Sequence, residues 1–376
     1  MISNLNQNHK AVLKVIKNLL IIKAIKFINF FHTTRYYKET KPNILLVCTT
    51  ALGDNVWSTP FFKCIKSRLP QANLSYLTNN LGAAVTEYNP YIDQVINVDK
   101  LNKFRLYRYL RKQKFEACFI FHASDRYIFP LCALLKPHYL VGIKNEVKNL
   151  DPLFSHLISG NGDHPVHIRN QMLEIINLSC NPKLLELVLY PQQTHFELAK
   201  KYLREKNLTG KFIIGIHPGS SQIRKQWPTE KFKQLIETLH QKYPDSIFLI
   251  TGSKKEQNLL NQFKTLNPNI ICMDEPFDIL TLTAILSFIN LYITNDTGPM
   301  HLASAMKVPI VAISKLDNNT WPYNNSPKAI ITCGEKLRAP TPRDSAEYIH
   351  RVEVQDIRDA TEQLLTKISK QGESLD

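Results

Sequence analysis

The sequence predicts an α/β protein. Short apolar runs alternate with helix-compatible segments along most of the 376 residues, and this alternation is typical of parallel sheets covered by helices on both faces. The runs fall into two series, one on each side of a stretch at 150–208 that we expect to hold a linker. The chain is also about two and a half times as long as a usual domain. We therefore expect two Rossmann-like domains that face each other across a cleft.

Each series is defined by its strand-like runs. The first contains runs at 43–48, 73–78, 95–99, 115–121 and 139–143, with a helical segment near 55–69. The second contains runs at 212–218, 246–252, 269–273, 291–296, 308–314 and 329–333, with helical segments at 228–243, 254–264, 278–288, 298–306 and 354–368. The predicted organisation is a basic N-terminal segment at 1–41, an N-terminal domain at 42–190, a C-terminal domain at 208–350, and a C-terminal helix and tail at 351–376.

Basic residues are concentrated at the N-terminus. The chain has a formal net charge of +15, of which residues 1–41 contribute +7. The remaining excess does not indicate nucleic acid binding, since the sequence has no zinc-finger, RNP-like or basic-zipper pattern. Residues 9–31 mix basic and apolar side chains at partly helical spacing, which leaves two interpretations: an interfacial helix on an anionic membrane, or a helix packed on the protein body. Lys23 and Lys26 interrupt the apolar stretch, so we expect neither a signal peptide nor a membrane span.

Cysteine usage and missing motifs narrow the chemistry. The seven cysteines form no C-x-x-C pair, and several lie in apolar runs, where a thiol acts as a small core residue. We therefore expect a reducing compartment, the cytoplasm. The sequence contains no G-x-G-x-x-G, P-loop or D-x-D motif. We expect no metal and no cofactor, so any phosphate group would be bound by backbone amides and cations.

The first candidate site follows the first strand of the first series. Gly53 allows a tight turn there, and Asp54 lies at the predicted helix start, where its carboxylate is favoured as the anion. In a doubly wound sheet this position borders the ligand crevice. An ionised Asp54 could accept a proton from a hydroxyl group, as a general base does. The alternative is that Asp54 only caps the helix.

The second candidate site has the same position in the second series. The segment His-Pro-Gly-Ser-Ser at 217–221 follows a strand and is itself followed by basic residues. Ser220, Ser221 and Lys225 could therefore bind a diphosphate and neutralise its charge. The alternative for Lys225 is a solvated loop cation.

The third candidate site is a strand end that turns into a helix. It contains Asp296, Thr297, Gly298 and His301. A helix N-terminus presents unpaired N–H groups and a positive dipole, which together favour phosphate. Asp296 and Thr297 are also ordinary capping residues, and His301 could be a buried core histidine.

These motifs together resemble glycosyltransferase family 9, the ADP-heptose:lipopolysaccharide heptosyltransferases. The blocks that carry the resemblance are ILLVCTTALGD, IGIHPGSSQIRKQWP, LITGSKKE and LYITNDTGPMHLASA, and the likeness spans roughly 43–335. It implies a GT-B fold in which the N-terminal domain takes the acceptor and the C-terminal domain takes the nucleotide sugar. It also implies an inverting transfer of heptose from ADP-heptose to a Kdo or heptose hydroxyl of a lipopolysaccharide core.

The resemblance assigns a role to each candidate residue. Asp54 matches the catalytic base. The donor positions are matched by Ser220, Ser221, Lys225, Asp296, Thr297, Gly298 and His301, and Glu256 lies near an acid that contacts the ribose or the base. The sequence departs from the family at 313–317, where I-S-K-L-D replaces a Gly-rich turn. This loop borders the donor pocket, so the departure bears on which sugar or base is bound.

The implied acceptor is an acidic glycolipid anchored in a membrane. Lys103, Arg105 and Arg108 lie in a basic stretch that could bind its carboxylates or phosphates, although a solvated helix surface is the alternative. The implied location is peripheral, on the cytoplasmic face of the inner membrane, at an anionic surface. Other functions remain open: transfer from another nucleotide sugar, transfer to a protein or O-chain acceptor, epimerisation of a nucleotide sugar, or nucleotide binding without activity.

Overall fold

The computed structural model describes residues 17–28, 41–146, 149–160, 164–182, 185–273, 275–314, 327–331 and 347–372. The chain divides into two units, Met1–Leu185 and Glu186–Asp376, and each is built on its own six-stranded sheet. All strand pairs are parallel. The prediction of an α/β protein with two Rossmann-like domains is confirmed.

The N-terminal unit alternates strands with helices. Its strands are β1 (Asn43–Cys48), β2 (Asn73–Thr78), β3 (Gln94–Asn97), β4 (Ala117–His122), β5 (Tyr139–Ile143) and β6 (His156–Ile158). Its helices are α1 (17–28), α2 (Leu52–Val56), α3 (Thr59–Arg68), α4 (Asn80–Val85), α5 (Lys103–Gln113), α6 (Ile128–Leu134) and α7 (Pro165–Glu174). The strand order is β3-β2-β1-β4-β5-β6, so the direction of winding reverses between β1 and β4.

The C-terminal unit repeats this arrangement. Its strands are β7 (Ile213–His217), β8 (Ile247–Ile250), β9 (Ile270–Cys272), β10 (Leu291–Asn295), β11 (Ile310–Ile313) and β12 (Lys328–Ile331). Its helices are α8 (Gln193–Glu205), α9 (Thr229–Lys242), α10 (Gln257–Asn261), α11 (Ile279–Leu286), α12 (Gly298–Ala305), α13 (Glu347–His350) and α14 (Val354–Gly372). The order β12-β11-β10-β7-β8-β9 places the reversal between β7 and β10.

The central strands are buried along their whole length. In β1 the residues from Ile44 to Cys48 are at most 1% exposed, although neighbouring side chains point to opposite faces of the sheet. Both faces must therefore be covered by other elements, which explains why the strand is a continuous apolar run rather than an alternating one.

The stretch at 150–208, predicted to hold a linker, contains the boundary between the two units and also the elements β6, α7 and α8, which were not predicted. The helix α8 packs against α11 and buries Ala199, Tyr202 and Leu203. Its start is stabilised by a capping box between Gln192 and His195. Polar residues dominate the sequence of α8, and they conceal the narrow apolar stripe that forms its buried face.

The helix α1 packs on the N-terminal unit and also presents apolar side chains to solvent. Ile22 and Ile25 belong to the hydrophobic core, and Asn18 accepts a hydrogen bond of 2.9 Å from Arg126. Leu20 and Phe27, on the opposite side of the helix, are 62% and 66% exposed. The packed interpretation therefore holds for 17–28, whereas residues 1–16 and 29–40 lie outside the described part of the chain. None of the helices described is both long and apolar enough to cross a membrane.

One pair of cysteines contradicts the expectation of reduced thiols. Cys64 of α3 and Cys180 form a disulfide, with 6.1 Å between their Cα atoms. Four other cysteines are free and buried: Cys48, Cys118, Cys132 and Cys272. The pairing could not be read from the sequence, because its two members are 116 residues apart and spacing does not reveal such a distant contact.

Candidate functional site

Both sheets bring candidate residues to the same topological position. We call the point at which the strand order reverses the switch point; it lies between β1 and β4 in one unit and between β7 and β10 in the other. Loops that leave neighbouring strands diverge there, and doubly wound sheets bind their ligands in the resulting crevice. Asp54 follows β1, Lys225 follows β7, and Asp296 follows β10.

Asp54 lies in the first turn of α2 but does not cap it. Ala51 occupies the N-cap position, so the alternative of a capping role is wrong. Asp54 Oδ1 lies 3.4 Å from Nδ1 of His122, the last residue of β4. The pair therefore bridges the N-terminal switch point from one strand end to the other.

Arg169 of α7 holds Asp54 from another side. Its Nη1 donates to the backbone oxygen of Asp54 at 2.7 Å and to Ser58 Oγ at 3.3 Å, and its Nη2 lies 3.7 Å from Asp54 Oδ1. The guanidinium also lies 5.9 Å from the ring centre of Trp57 and 5.3 Å from that of Phe121. Arg169 is only 1% exposed. A charge this deeply buried needs such partners, so Arg169 and Asp54 form one structural unit.

The environment of Asp54 keeps its carboxyl ionised at neutral pH. Burial alone raises the pKa of Asp54, but the hydrogen bond with His122 and the charge of Arg169 outweigh burial and lower the pKa from 3.8 to about 2. An anionic oxygen can accept the hydrogen bond of an incoming hydroxyl group and then its proton.

Glu146 lies on the other side of the same imidazole. Its Oε1 is 3.7 Å from His122 Nε2, and its side chain is 13% exposed. Burial raises the pKa of Glu146 from 4.5 to about 7, although the charge of His122 opposes this rise. The pKa of His122 is raised above 6.5, chiefly by its hydrogen bond with Asp54. One imidazole thus separates two carboxyl groups of very different acidity.

His122, Glu146 and Arg169 escaped the sequence-based predictions. A signal for His122 does exist, because it ends the strand that neighbours β1 across the switch point. Arg169 interrupts the buried side of α7, where it is flanked by Ile168 and other apolar residues. For Glu146, which lies in a loop after β5, we find no comparable signal in the sequence.

The turn after β1 is held rigidly by Asn55. Its Nδ2 donates to the backbone oxygens of Thr50 and Ala51 at 3.2 and 2.9 Å. Its Oδ1 accepts hydrogen bonds from the hydroxyls of Tyr76, at 2.6 Å, and Thr78, at 2.8 Å. Asn55 is fully buried, and a buried polar group with all its hydrogen bonds made defines one conformation of the turn.

Lys225 and Asp296 form a pair at the C-terminal switch point. Lys225 Nζ lies 2.7 Å from Asp296 Oδ2, and the two side chains are 34% and 16% exposed. These residues come from two separate sequence motifs, and the structure brings them together. The ammonium is partly exposed and therefore accessible to a ligand from solvent.

Asn295, the last residue of β10, ties the loop after β7 in place. Its Oδ1 accepts the N–H of Trp227 at 3.1 Å, and its Nδ2 donates to the oxygens of Pro218 and Gly219 at 2.9 and 3.2 Å. The side chain is fully buried. A single amide therefore joins the two ends of the loop at 219–227.

Glu256 contacts the same loop. Its Oε2 accepts hydrogen bonds of 2.7 Å from both the N–H and the hydroxyl of Ser253. Gly219 approaches so closely that a Cβ atom there would collide with the Glu256 carboxylate. Ser220 Oγ accepts the backbone N–H two residues further on at 3.2 Å, and Ser221 is exposed. The structure thus places Glu256 beside the loop that carries both serines.

The helix α12 begins where the third motif was found. Thr297 is its N-cap residue and makes no side-chain cap, since its hydroxyl lies 3.3 Å from the backbone oxygen of Asn295. The N–H groups of the first turn, except at Pro299, which has none, can therefore serve a ligand. His301 is 2% exposed and lies in the interior, as the alternative interpretation expects.

The basic residues of α5 lie on its exposed side. Lys103 Nζ is 4.4 Å from the ring centre of Tyr127, and the Arg108 guanidinium is 5.7 Å from that of Phe104. Arg105 is exposed. Among the residues described, no cluster of His, Cys, Asp and Glu is arranged to hold a metal ion. Residues 315–317 of the sequence departure lie outside the described ranges.

Two doubly wound sheets with polar groups at both switch points are typical of glycosyltransferases of GT-B fold. Residues 166–345 match the family model described as Glycosyltransferase family 9 (heptosyltransferase). The match covers just under half of the chain, and the chain is a glycosyltransferase, as the resemblance implied.

Similar proteins agree with this assignment. Lipooligosaccharide heptosyltransferase 2 of Campylobacter jejuni is 25% identical over 281 residues, which cover 72% of this chain and 80% of that protein. The glycosyl transferase family 9 structure from Veillonella parvula has a TM-score of 0.73 at 20% identity and covers 89% of this chain and 100% of its own. The E. coli ADP-heptose LPS heptosyltransferase II has a TM-score of 0.68 at 15% identity, and the match covers 87% of this chain and 99% of that one. These two structures share the fold.

Proposed function

We propose that this glycosyltransferase moves heptose from ADP-heptose to a Kdo or heptose hydroxyl of a lipopolysaccharide core, with inversion at the anomeric carbon. The observation that carries the proposal is the ionised carboxylate of Asp54, held at a switch point in a chain whose residues 166–345 match the family 9 model. The Campylobacter relative is a lipooligosaccharide heptosyltransferase, and the E. coli structure is that of an ADP-heptose LPS heptosyltransferase.

The C-terminal switch point would bind the donor. ADP-heptose carries its negative charge on the diphosphate, and this charge grows as the bond to the sugar breaks. Lys225 supplies a partly exposed ammonium, and the first turn of α12 supplies N–H groups. Ser220 and Ser221 would bond to the phosphate oxygens, with Asp296, Thr297, Gly298 and His301 shaping the site around them. Glu256, beside the loop, would accept a hydrogen bond from the ribose or the base.

The N-terminal switch point would supply the base. The acceptor oxygen forms a bond to the anomeric carbon while the bond from that carbon to the diphosphate breaks, and ADP leaves with the electron pair. The hydroxyl proton goes to Asp54, which is ionised and therefore able to take it. The transition state resembles an oxocarbenium ion, and the attack from the face opposite ADP inverts the configuration.

The acceptor would be an acidic glycolipid at an anionic membrane surface. Lys103, Arg105 and Arg108 are exposed and can pair with carboxylates or phosphates. On α1, Leu20 and Phe27 are exposed beside several lysines, a combination that favours binding to an anionic bilayer on its cytoplasmic face.

We expect the protein to sediment with vesicles that contain phosphatidylglycerol and not with neutral vesicles. Leu20→Ser together with Phe27→Ser should weaken this sedimentation.

The decisive experiment is a transfer assay with a panel of donors. Purified protein and heptose-free Kdo–lipid A are incubated with one donor at a time: ADP-heptose, UDP-glucose or UDP-N-acetylglucosamine. The mass of the acceptor is then measured by mass spectrometry. We expect a heptose increment from ADP-heptose and none in the Asp54→Ala variant. An increment from a UDP-sugar instead would identify a different donor. Absence of any increment, together with absence of a melting shift by ADP, would overturn the assignment.

A further inference from the structure

We propose that His122 and Glu146 hold one proton between them and thereby position the Asp54 carboxylate and set its strength as a base. The inference rests on the proposed role of Asp54. It starts from geometry: His122 Nδ1 lies 3.4 Å from Asp54 Oδ1, and His122 Nε2 lies 3.7 Å from Glu146 Oε1. Each ring nitrogen therefore faces its own carboxyl group, with a hydrogen bond on the Asp54 side and an ion-pair contact longer than a hydrogen bond on the Glu146 side.

The tautomer of His122 follows from this arrangement. Asp54 is ionised and accepts only, so the Nδ1 that faces it must carry hydrogen and donate. The second proton of the pair then lies on the opposite side, either on Nε2 facing an ionised Glu146 or on Glu146 facing a neutral Nε2. In both cases the Nδ1–H group of His122 still donates to Asp54, and this hydrogen bond holds the Asp54 carboxylate in one orientation.

Among the groups that flank Asp54, His122 is the one whose charge can change near neutral pH. Arg169, the other cation, keeps its charge at every physiological pH and is fixed by its bonds to the Asp54 and Ser58 oxygens. The charged groups that face His122 are Asp54, Glu146 and Arg169. Burial raises the pKa of Glu146 to about 7, so the shared proton can be lost in this range.

Loss of the shared proton should strengthen Asp54 as a base. While the shared proton is present, Asp54 lies beside Arg169 and a His122–Glu146 pair of zero net charge, so a proton arriving from the acceptor hydroxyl leaves an excess positive charge, and Asp54 accepts it poorly. Once the shared proton has been lost, the summed charge of Asp54, Arg169, His122 and Glu146 is lower by one. Transfer of the hydroxyl proton to Asp54 then leaves no excess positive charge. The acidic limb of the pH–rate profile should then report the His122–Glu146 pair, rather than the carboxyl of Asp54.

The test combines NMR titration with kinetics on the full-length protein. In NMR spectra of the imidazole nitrogens, we expect His122 to titrate above its ordinary pKa and to carry hydrogen on Nδ1 when neutral. In Glu146→Gln and in Asp54→Asn the midpoint should fall by at least about half a pH unit, because each variant removes a negative neighbour. Glu174→Gln makes the same chemical change at an exposed position of α7 and should leave the midpoint unchanged. If the His122 midpoint is the same in the parent protein, in Glu146→Gln and in Asp54→Asn, the pairing is overturned, whether or not the enzyme transfers heptose.

Kinetics then separate positioning from a merely structural role. The turnover number should rise with pH through a midpoint near 7 in the parent enzyme, and this limb should move to lower pH in Glu146→Gln. In His122→Asn, whose amide can donate in place of Nδ1, the limb should vanish while turnover remains at least about fivefold above that of His122→Leu. Equal turnover of the two variants, or a limb that stays in place in Glu146→Gln, would refute the positioning role. If the parent enzyme transfers no sugar from any donor, the proposed function fails, and the positioning role fails with it while the NMR result still decides the pairing.

Discussion

The two switch points share one topology and differ in how they hold charge. At the N-terminal one, Arg169 is 1% exposed and is bonded to the element that carries Asp54. At the C-terminal one, Lys225 is 34% exposed and is paired with Asp296 alone among the groups described around it. The first arrangement pairs its carboxylate with a buried guanidinium, although Arg169 Nε and both Glu146 oxygens lack a hydrogen-bond partner among the residues described. The second leaves a partly exposed cation and a helix start without a side-chain cap. Strand order decides where a site lies, and the two sites differ in how deeply their cations are buried.

The largest expected effect comes from removing the base. Asp54→Asn keeps the shape of the side chain and its contact with His122 but cannot take a proton, so turnover should fall on the order of a hundredfold or more. The affinity for ADP, measured by calorimetry, should stay unchanged, because the nucleotide would be bound by the other unit. Loss of ADP affinity in this variant would contradict the division of labour between the two switch points.

The buried acid of the N-terminal cluster should make that unit less stable as the pH rises. Glu146 has a pKa of about 7 in the folded protein and 4.5 as its ordinary value, so the folded state binds the proton more tightly. The contribution of Glu146 to the free energy of unfolding is fully present below pH 4.5. It is lost as the pH rises to about 7, by roughly 3 kcal/mol at most. The raised pKa of His122 acts in the same direction.

Hydrogen exchange of the α7 amides at pH 5, 6, 7 and 8 would measure this loss of stability, after correction for the intrinsic pH dependence of exchange. Glu146→Gln should remove most of the trend, and Glu174→Gln should preserve it. Amides of α9, in the other unit, should show no comparable decline. An α7 whose stability is constant over this range would show that Glu146 is ionised at little cost.

A smaller effect is expected at the C-terminal switch point. Lys225→Ala removes the cation and leaves the Asp296 carboxylate to repel a diphosphate, so ADP should bind about tenfold more weakly. Lys225→Ala combined with Asp296→Asn should recover part of this loss. Lys233→Ala, which removes a partly exposed lysine of α9 paired with Glu230, is the matched control in a calorimetric titration. Equal affinities of the Lys225 and Lys233 variants would argue against diphosphate binding by Lys225.

The smallest effect is expected on α5. Reversing the charge of Arg105 and Arg108 to Glu should raise the KM for the glycolipid acceptor several-fold and leave ADP affinity unchanged, since exposed charges contribute little each. The matched control is the same reversal at Lys200 and Arg204 of α8, which are also exposed. A similar KM in both double variants would identify α5 as a solvated surface.

The fold was predictable from the sequence because burial leaves a direct mark on it. Runs such as that of β1 are apolar throughout, and their alternation with helices implies parallel sheets. The polar residues that follow the strands were predictable as well, because recognising a strand also locates its end, and the strand ends at the switch point border the crevice. The helix α8 was missed because its apolar stripe is narrow.

The neighbours of Asp54 could not be predicted in this way. His122 and Arg169 are 68 and 115 residues away from it in sequence, and a side chain that acts through such a distant contact has no local pattern. The Cys64–Cys180 disulfide was missed for the same reason. The acidity of Glu146 depends on burial and on His122 together, neither of which a single residue type reveals.

The amide of Asn295 has a consequence for how the loop at 219–227 can vary. Because one side chain anchors both Gly219 and Trp227, the ends of the loop stay at a constant separation whatever lies between them. Lengthening such a closed segment costs little, about 0.6 kcal/mol for each doubling. Residues can therefore be inserted between the anchors without disturbing the sheet beneath, as long as Ser220, Ser221 and Lys225, the proposed diphosphate ligands, are kept. Such an insertion is a natural way to engineer a different preference among the nucleotide sugars proposed as donors.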